Sequence, residues 1–324
     1  MEAATTSATS TSFHVVAQFA NSAFSATTAI ADSDIWAVGS STSSGTQQPF
    51  AVHVDGTTWS AVPTPTLSKG GSFADVAAAA SNDVWAVGSQ NVGSSINTLI
   101  EHWNGTSWSI ISSPRLPKGG YLTGVTAVSS NNAWAVGTAI GSTNALVEHW
   151  DGTSWSIVSS PAFSGVGVGG ISADGSNDIW AVGGPTKLHF DGTSWSLIPA
   201  PTRVSTGAVT ALSPTNAWAV GGGPGPPPSD TEAMIEHWDG TSWSVVASPN
   251  PDTRGTSLLS GVAAVSANDI FAVGEAADGA VIEHWDGKSW SLVTPPGGGG
   301  LDGVTALGDG TVVIVSSSGA ILEN

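Results

Sequence analysis

The sequence predicts an all-β protein, a seven-bladed β-propeller whose ring is closed by its N-terminal strand. Three observations predict it. The string Trp-Ala-Val-Gly recurs along the chain. A second string, built on Asp-Gly-Thr-Ser-Trp, follows each early copy. The last repeat stops one strand short of completion.

The first string has its Trp at Trp36, Trp85, Trp134, Trp180 and Trp218. It continues as Phe-Ala-Val-Gly at Phe271 and, degenerately, as Val-Val-Ile-Val-Ser around Val313. The second string runs His53–Ser60, Glu101–Ser109, Glu148–Ser156, Leu188–Ser196, Glu236–Ser244 and Glu283–Ser291. Residues 121–159 show how one unit reads. YLTGVTAVS is apolar and β-branched and ends in polar residues; NAWAVGT alternates; ALVEHW leads into Asp151-Gly152; SWSIVSS follows and ends before Pro161. Asp-Gly between two alternating runs is a strong hairpin signal, because Gly accepts the positive φ of a tight turn. Four strands in a period of ~40–50 residues is the signature of a propeller blade. Helical periodicity is absent.

Six complete units occupy residues 23 to about 294, and the tail from Leu301 to Asn324 supplies three more strands. The missing fourth strand lies at the other end, where Ser12–Ala17 (SFHVVA) aligns with Ser242–Ala247 (SWSVVA). Pairing the two termini removes the open edges that invite aggregation. Residues 12–324 are therefore expected to form one propeller domain, with 1–11 a flexible segment.

These repeats resemble those of bacterial β-propellers with Kelch-like or Asp-box-like blades, and the resemblance covers nearly the whole chain. An Asp-box reads S-x-D-x-G-x-x-W between the outer two strands. Here Asp151 and Gly152 are adjacent in D-G-T-S-W, and the Gly-Gly of Kelch blades is missing. The resemblance implies a propeller and leaves ligand and reaction open.

Composition excludes several functions. The chain of 324 residues carries 25 acidic and 7 basic residues, a formal net charge of -18. So few cations cannot neutralise a phosphate backbone, so no nucleic acid is expected as a partner. The absence of Cys removes disulfides, thiol nucleophiles and Cys-ligated metals. No apolar run reaches the ~18 residues of a membrane span. MEAATTSATSTS has neither the basic nor the apolar region of a signal peptide. The Ser/Thr/Gly surface, poor in Lys, is read as that of an extracellular or cell-surface protein, expected to be a monomer.

All 15 Trp fall in repeat positions. Those of the second strand are expected to pack between blades. Those of the third strand (Trp103, Trp150, Trp238, Trp285) and the fourth (Trp59, Trp108, Trp155, Trp195, Trp243, Trp290) are expected to stack across the hairpin. The alternative is that they hold sugars, as in repeat lectins that seat one sugar between each pair of blades. His53, His102, His149, His189, His237 and His284 are periodic too, which points to a hydrogen-bonded structural element. Adjacent Glu-His residues face opposite sides of a strand and cannot form one site. Asp34, Asp83, Asp178 and Asp269, with Asn132 and Asn216, open the second strands and are expected to bond local backbone N–H groups. Asp151 and its equivalents are turn residues, as is Asn104 of an Asn-Gly-Thr sequon.

Residues outside the repeat are the candidate site. Lys69, Arg115, Lys118, Arg203 and Arg254 fall in the connections between blades, and Lys187 borders a second-to-third strand loop; only Lys288 occupies a hairpin turn. A dipolar molecule is expected, with a mildly basic mouth opposite an acidic face. Lys69-Gly-Gly-Ser-Phe73 and Lys118-Gly-Gly-Tyr121 place a cation, a Gly-Gly able to approach a ligand closely and an aromatic together. The ligand-binding candidates are Lys69, Phe73, Arg115, Lys118, Tyr121, Arg203 and Arg254. Sialidases, which are Asp-box propellers, hold a carboxylate with three arginines and use a tyrosine nucleophile, and this chain has three arginines and one tyrosine. No motif surrounds them, and the carboxylates for acid–base work would be drawn from Asp75, Asp230, Glu232, Asp252 and Asp302, with nothing to choose among them.

Other catalytic signatures fail. Gly165–Gly170 runs into a strand, so no dinucleotide site or other cofactor is expected. No metal site is assigned, apart from the option of a structural Ca²⁺ on the acidic face or on axial carbonyls. The leading expectation is a carbohydrate-binding module, with a small anionic or hydroxylated ligand as the wider class. The alternatives are a glycoside hydrolase or lyase with its site in the basic mouth, and a protein-interaction scaffold.

Overall fold

The computed structural model describes residues 12–43, 45–162, 167–200, 205–224, 231–249, 256–297 and 299–324; the expected flexible segment 1–11 lies outside them. Among these residues there are seven four-stranded antiparallel sheets and no helix. Each sheet is one blade. Blade 3 is typical, with Gly120–Ser129 innermost, then Asn132–Ala139, Ala145–Trp150 and Trp155–Ile157 at the rim. The other innermost strands are Ser22–Ala31, Gly71–Ala80, Gly170–Gly175, Ser205–Ser213, Ser257–Ser266 and Leu301–Ala306.

The second strand explains the Trp-Ala-Val-Gly string. Successive side chains point to opposite faces of a blade. In blade 1, Trp36 and Val38 pack on blade 2, while Ile35 and Ala37 pack on blade 7. Both faces are therefore core, and the run is apolar throughout. The terminal Gly has a different cause. In six of the described inner strands a β-bulge follows this point of the ladder, as at Phe24/Ala26 and Leu122/Gly124. It brings the inner backbone close, so that a Cβ on Gly39 or Gly137 would strike the carbonyl oxygen of Ala23 or Tyr121.

Seven apolar clusters lie among the described residues, one at each junction between blades. Each buried Trp contributes on the order of 5 kcal/mol of transfer free energy. The ring closes as the alignment of the termini requires. His14–Gln18 is the outermost strand of blade 7, beside Ala320–Glu323, Val312–Ser316 and Leu301–Ala306. Phe13 takes the place of the rim Trp and meets Phe271 of blade 6 edge-on, centroids 5.9 Å apart.

The hairpin between third and fourth strands also forms as read. Asp151 Oδ1 accepts the backbone N–H of Thr153 and Ser154 at 2.8 and 2.9 Å, and Gly152 has φ +91. The hairpin turns share one face of the disc with the first-to-second strand turns, as the bond from Gly56 N–H to the Ser33 carbonyl shows. The connections between blades share the other face, the mouth, with the second-to-third strand loops.

Candidate functional site

On the mouth face the structure brings two of the sequence candidates together. Arg115 and Lys118, both exposed, line a cleft of about 440 Å³ between the outer part of blade 2 and the connection to blade 3, with Gln90, Ser95 and Asn97. Tyr121 is 38% exposed but does not line that cleft. Lys69 occupies the position equivalent to Lys118 one blade earlier and is exposed on its own. Arg203 and Arg254 lie outside the described residues.

Three expectations about this face are corrected. Phe73 is 1% exposed and packs against Trp108 in the core between blades 1 and 2. It is equivalent to Leu122 and not to Tyr121; the offset of one residue turns the side chain to the opposite face of the strand. The Gly-Gly pairs serve the backbone. Gly70 and Gly119 have φ +80 and +83, and a Cβ there would strike the carbonyl of Gln47 or Ile96. Lys187 is not a mouth cation. It is fully buried, with Nζ 2.7 Å from Glu236 Oε2 of the next blade and 2.8 Å from Thr206 Oγ1.

The axial channel selects two of the five carboxylates that sequence left unranked. Asp75 and Asp302 line a cavity of about 170 Å³ together with Ser25, Thr123, Gly207 and Ser260. The positions equivalent to Asp75 carry Ala26, Gly124, Gly170, Ala208, Gly261 and Gly303, so this carboxylate breaks a ring of small residues. It accepts the N–H of Val76 and, across the junction, of Val125, each at 2.8 Å. Burial nevertheless pushes it up to about 7. Asp302 is raised by burial as well and accepts the Ser317 N–H at 2.6 Å. Neither carboxylate lines the Arg115–Lys118 cleft. Among the described residues no group of three or more His, Asp or Glu is placed to hold a metal ion.

The hairpin face carries a third arrangement, repeated around the ring. At the junction of blades 2 and 3 a groove of about 630 Å³ is lined by Asn82, Asp83, His102, Ser129, Ser130 and Trp150, among others. Each part follows from the strand pattern. His102 lies directly across the ladder from Trp85, and its ring lies over the indole at a tilt of 34°, centroids 4.2 Å apart. Its Nε2 lies 2.8 Å from Asp83 Oδ1. Trp150, half-buried, comes from blade 3, meets Trp85 at 4.9 Å and donates its indole N–H to the Ser130 carbonyl.

The same set recurs as Asp34, His53 and Trp103; Asn132, His149 and Phe190; Asp178, His189 and Trp238; and Asn216, His237 and Trp285. The third- and fourth-strand Trp do approach across the hairpin, 6.0 Å apart for Trp150 and Trp155. Both also box in the second-strand Trp of the preceding blade.

The Asp and Asn residues that open the second strand thus hold His side chains, a correction to the expected local backbone bonding. A signal for this lay in the sequence. Blade 7, which has Glu323 at the His position, also lacks the Asp or Asn, with Thr311 in its place. Where the partner is Asn, burial lowers the pKa of His149 and His237. The Glu that precedes His faces the opposite side of the blade, into the core. Burial pushes Glu101 up to about 8 and Glu148 and Glu283 up to about 7. Ser113 and Ser248 donate hydroxyl bonds to Glu148 and Glu283, whereas neither oxygen of Glu101 has a hydrogen-bond partner.

The fold and its grooves define a seven-bladed propeller. No protein-family model and no curated protein matches the chain. Among solved structures it is similar to a streptogramin B lyase, with a TM-score of 0.71 and 14% identity over 96% of each chain. It is similar also to YCF48 bound to D1 peptide, at 0.66 and 16% over 97% of this chain and 94% of that one. The WD40 propeller domain of Doa1 gives 0.66 and 12% over 97% of both. At these identities the likeness is one of fold.

Proposed function

We propose that the protein is a secreted or cell-surface binding module for carbohydrate, which it holds in the grooves between blades on the hairpin face. The aromatic wall of each groove is the residue just before the Asp-box-like hairpin, as Trp150 stands before Asp151-Gly152. The observation that carries this reading is the groove between blades 2 and 3. Its half-buried Trp150 gives an apolar plane for the C–H face of a sugar ring, and Asp83, His102, Asn82 and two serines give hydrogen-bonding groups around it. A few convergent polar groups beside an aromatic surface suit a hydroxylated ligand. The same residue set recurs at four further junctions, its aromatic half-buried at Trp103 and Trp285 and buried at Phe190 and Trp238, and a repeated set suits a repeating polymer, because linked weak sites gain avidity.

A glycan array probed with the folded protein tests this, with Trp150→Ala and Trp103→Ala as groove variants. Glycan binding that falls as grooves are removed supports the reading. A folded protein that binds no glycan overturns it.

A second reading is favoured by the Arg115–Lys118 cleft, which suits a carboxylate-bearing partner such as an acidic peptide. The similar structure of YCF48 was determined with a peptide bound. An Arg115→Ala variant that loses a partner while retaining glycan binding would separate the two. A hydrolase site at the mouth finds less support, because the cations and the channel carboxylates lie in different places.

A further inference from the structure

Resting on the carbohydrate reading, we propose that the grooves favour glycans bearing free amines, a polymer of deacetylated amino sugars above a neutral or acidic one. The hairpin face carries an Asp in its turns blade after blade, while Lys288 is the one cation on it among the described residues. Lys69, Arg115 and Lys118 sit on the mouth face and Lys187 is buried. The field over the grooves is negative and repels acidic sugars.

Within the grooves the charge is specific. Asp34, Asp83 and Asp178 each place one oxygen on a His, and Asp83 lines the same groove as Trp150. Asp178 is 7% exposed, and its buried Oδ2 has no hydrogen-bond partner, so one acceptor beside His189 is left unsatisfied. An ammonium group satisfies both walls, giving a charge-assisted bond to the carboxylate and a cation–π contact with the indole. An N-acetyl group or a hydroxyl offers neither the charge nor the cation.

The protein contains its own control. Asn132 and Asn216 replace the Asp in two of the five aromatic grooves and still hold His149 and His237 at 3.0 Å. The triple variant D34N/D83N/D178N therefore installs a pairing that the fold already uses, and neutralises the charged grooves with their shape intact.

The experiment is calorimetric titration of the full chain with glucosamine, N-acetylglucosamine and glucose hexamers, at a pH where the amine is protonated and at two salt concentrations. The expected result is tighter binding of the glucosamine hexamer by about tenfold or more, and in the triple variant the loss of that preference over the neutral hexamers. Equal affinity of the wild type for all three hexamers overturns the amine preference and leaves carbohydrate binding standing. Binding of none of them by the folded protein overturns both. A preference unchanged in the triple variant and abolished by salt assigns it to the diffuse field, and overturns the groove assignment.

Discussion

His102 Nε2 lies 2.8 Å from Asp83 Oδ1, and the His ring leans over Trp85 at 34°, centroids 4.2 Å apart. The pair fixes the edge of the buried Trp and the floor of the groove at once. Replacing Asp83 with Asn keeps an acceptor, as Asn132 does for His149, and is expected to leave the melting temperature nearly unchanged. Asp83→Ala strips a half-buried His of its partner and is expected to cost about 1–2 kcal/mol in urea unfolding. If both variants unfold alike, the hydrogen bond contributes little and packing alone holds the ring.

Lys187 and Glu236 form a fully buried ion pair across the junction of blades 4 and 5. Removing one partner leaves an uncompensated buried charge, which typically costs about 3–5 kcal/mol. Lys187→Met is expected to destabilise by that order, and the double variant with Glu236→Leu to recover most of the loss. Equilibrium urea unfolding of the two variants measures the difference. A double variant no more stable than the single one would show that the pair itself, and not its desolvation, is what matters.

The closure of the ring is tested at Phe13. It reproduces in blade 7 what Trp108 does for Trp36, meeting Phe271 at 82° where the Trp pair meets at 89°. Phe13→Ala is expected to cost about 3–5 kcal/mol. Deleting residues through Gln18 exposes the edge of Ala320–Glu323 and is expected to produce oligomers by strand pairing. Size-exclusion chromatography with light scattering checks the second outcome. A monodisperse monomer after deletion would mean that the N-terminal strand is dispensable.

Much of this architecture was legible because each repeat carries the same period-2 pattern and the same turn chemistry. Trp36, Ala37 and Val38 announce a strand with two buried faces, and Asp151-Gly152 announces its hairpin. What sequence could not supply was phase and depth at the residues that break the pattern. Lys69-Gly-Gly-Ser-Phe73 and Lys118-Gly-Gly-Tyr121 look alike. The inner strand nonetheless turns Phe73 inward and Tyr121 outward, because a difference of one position inverts a strand. Lys187 read as a surface cation since its partner, Glu236, stands on another blade, 49 positions away. The channel carboxylates were hidden for the same reason. Asp75 and Asp302 line one cavity only once the ring is closed, and the small residues at equivalent positions in other blades are what mark Asp75 as an exception.

The buried glutamates set the pH dependence of stability. Glu101, Glu148 and Glu283 have folded pKa values of about 8, 7 and 7, above the value of 4.5 that they take when unfolded. Between those limits the folded chain holds more protons than the unfolded one, so stability falls as pH rises. Their contribution is fully present below about pH 4.5 and is lost through pH 7 to 8, at up to about 1.4 kcal/mol per pH unit for each group. The hairpin carboxylates work in the opposite sense. Backbone N–H bonds hold Asp151, Asp191, Asp239 and Asp286 below the usual carboxylate range. They favour the folded state above the unfolded carboxylate value, and that contribution is lost as pH falls below it. The maximum of stability is therefore expected in mild acid. The urea midpoint should decline from about pH 5 to pH 8.5. Glu101→Gln removes the one carboxyl of this set that no hydroxyl supports. It should raise the midpoint at pH 8.5, leave it nearly unchanged at pH 5, and flatten the slope between. A midpoint that climbs from pH 5 to 8.5, or a Glu101→Gln effect equal at both ends, would contradict the assignment of a protonated Glu101 in the core.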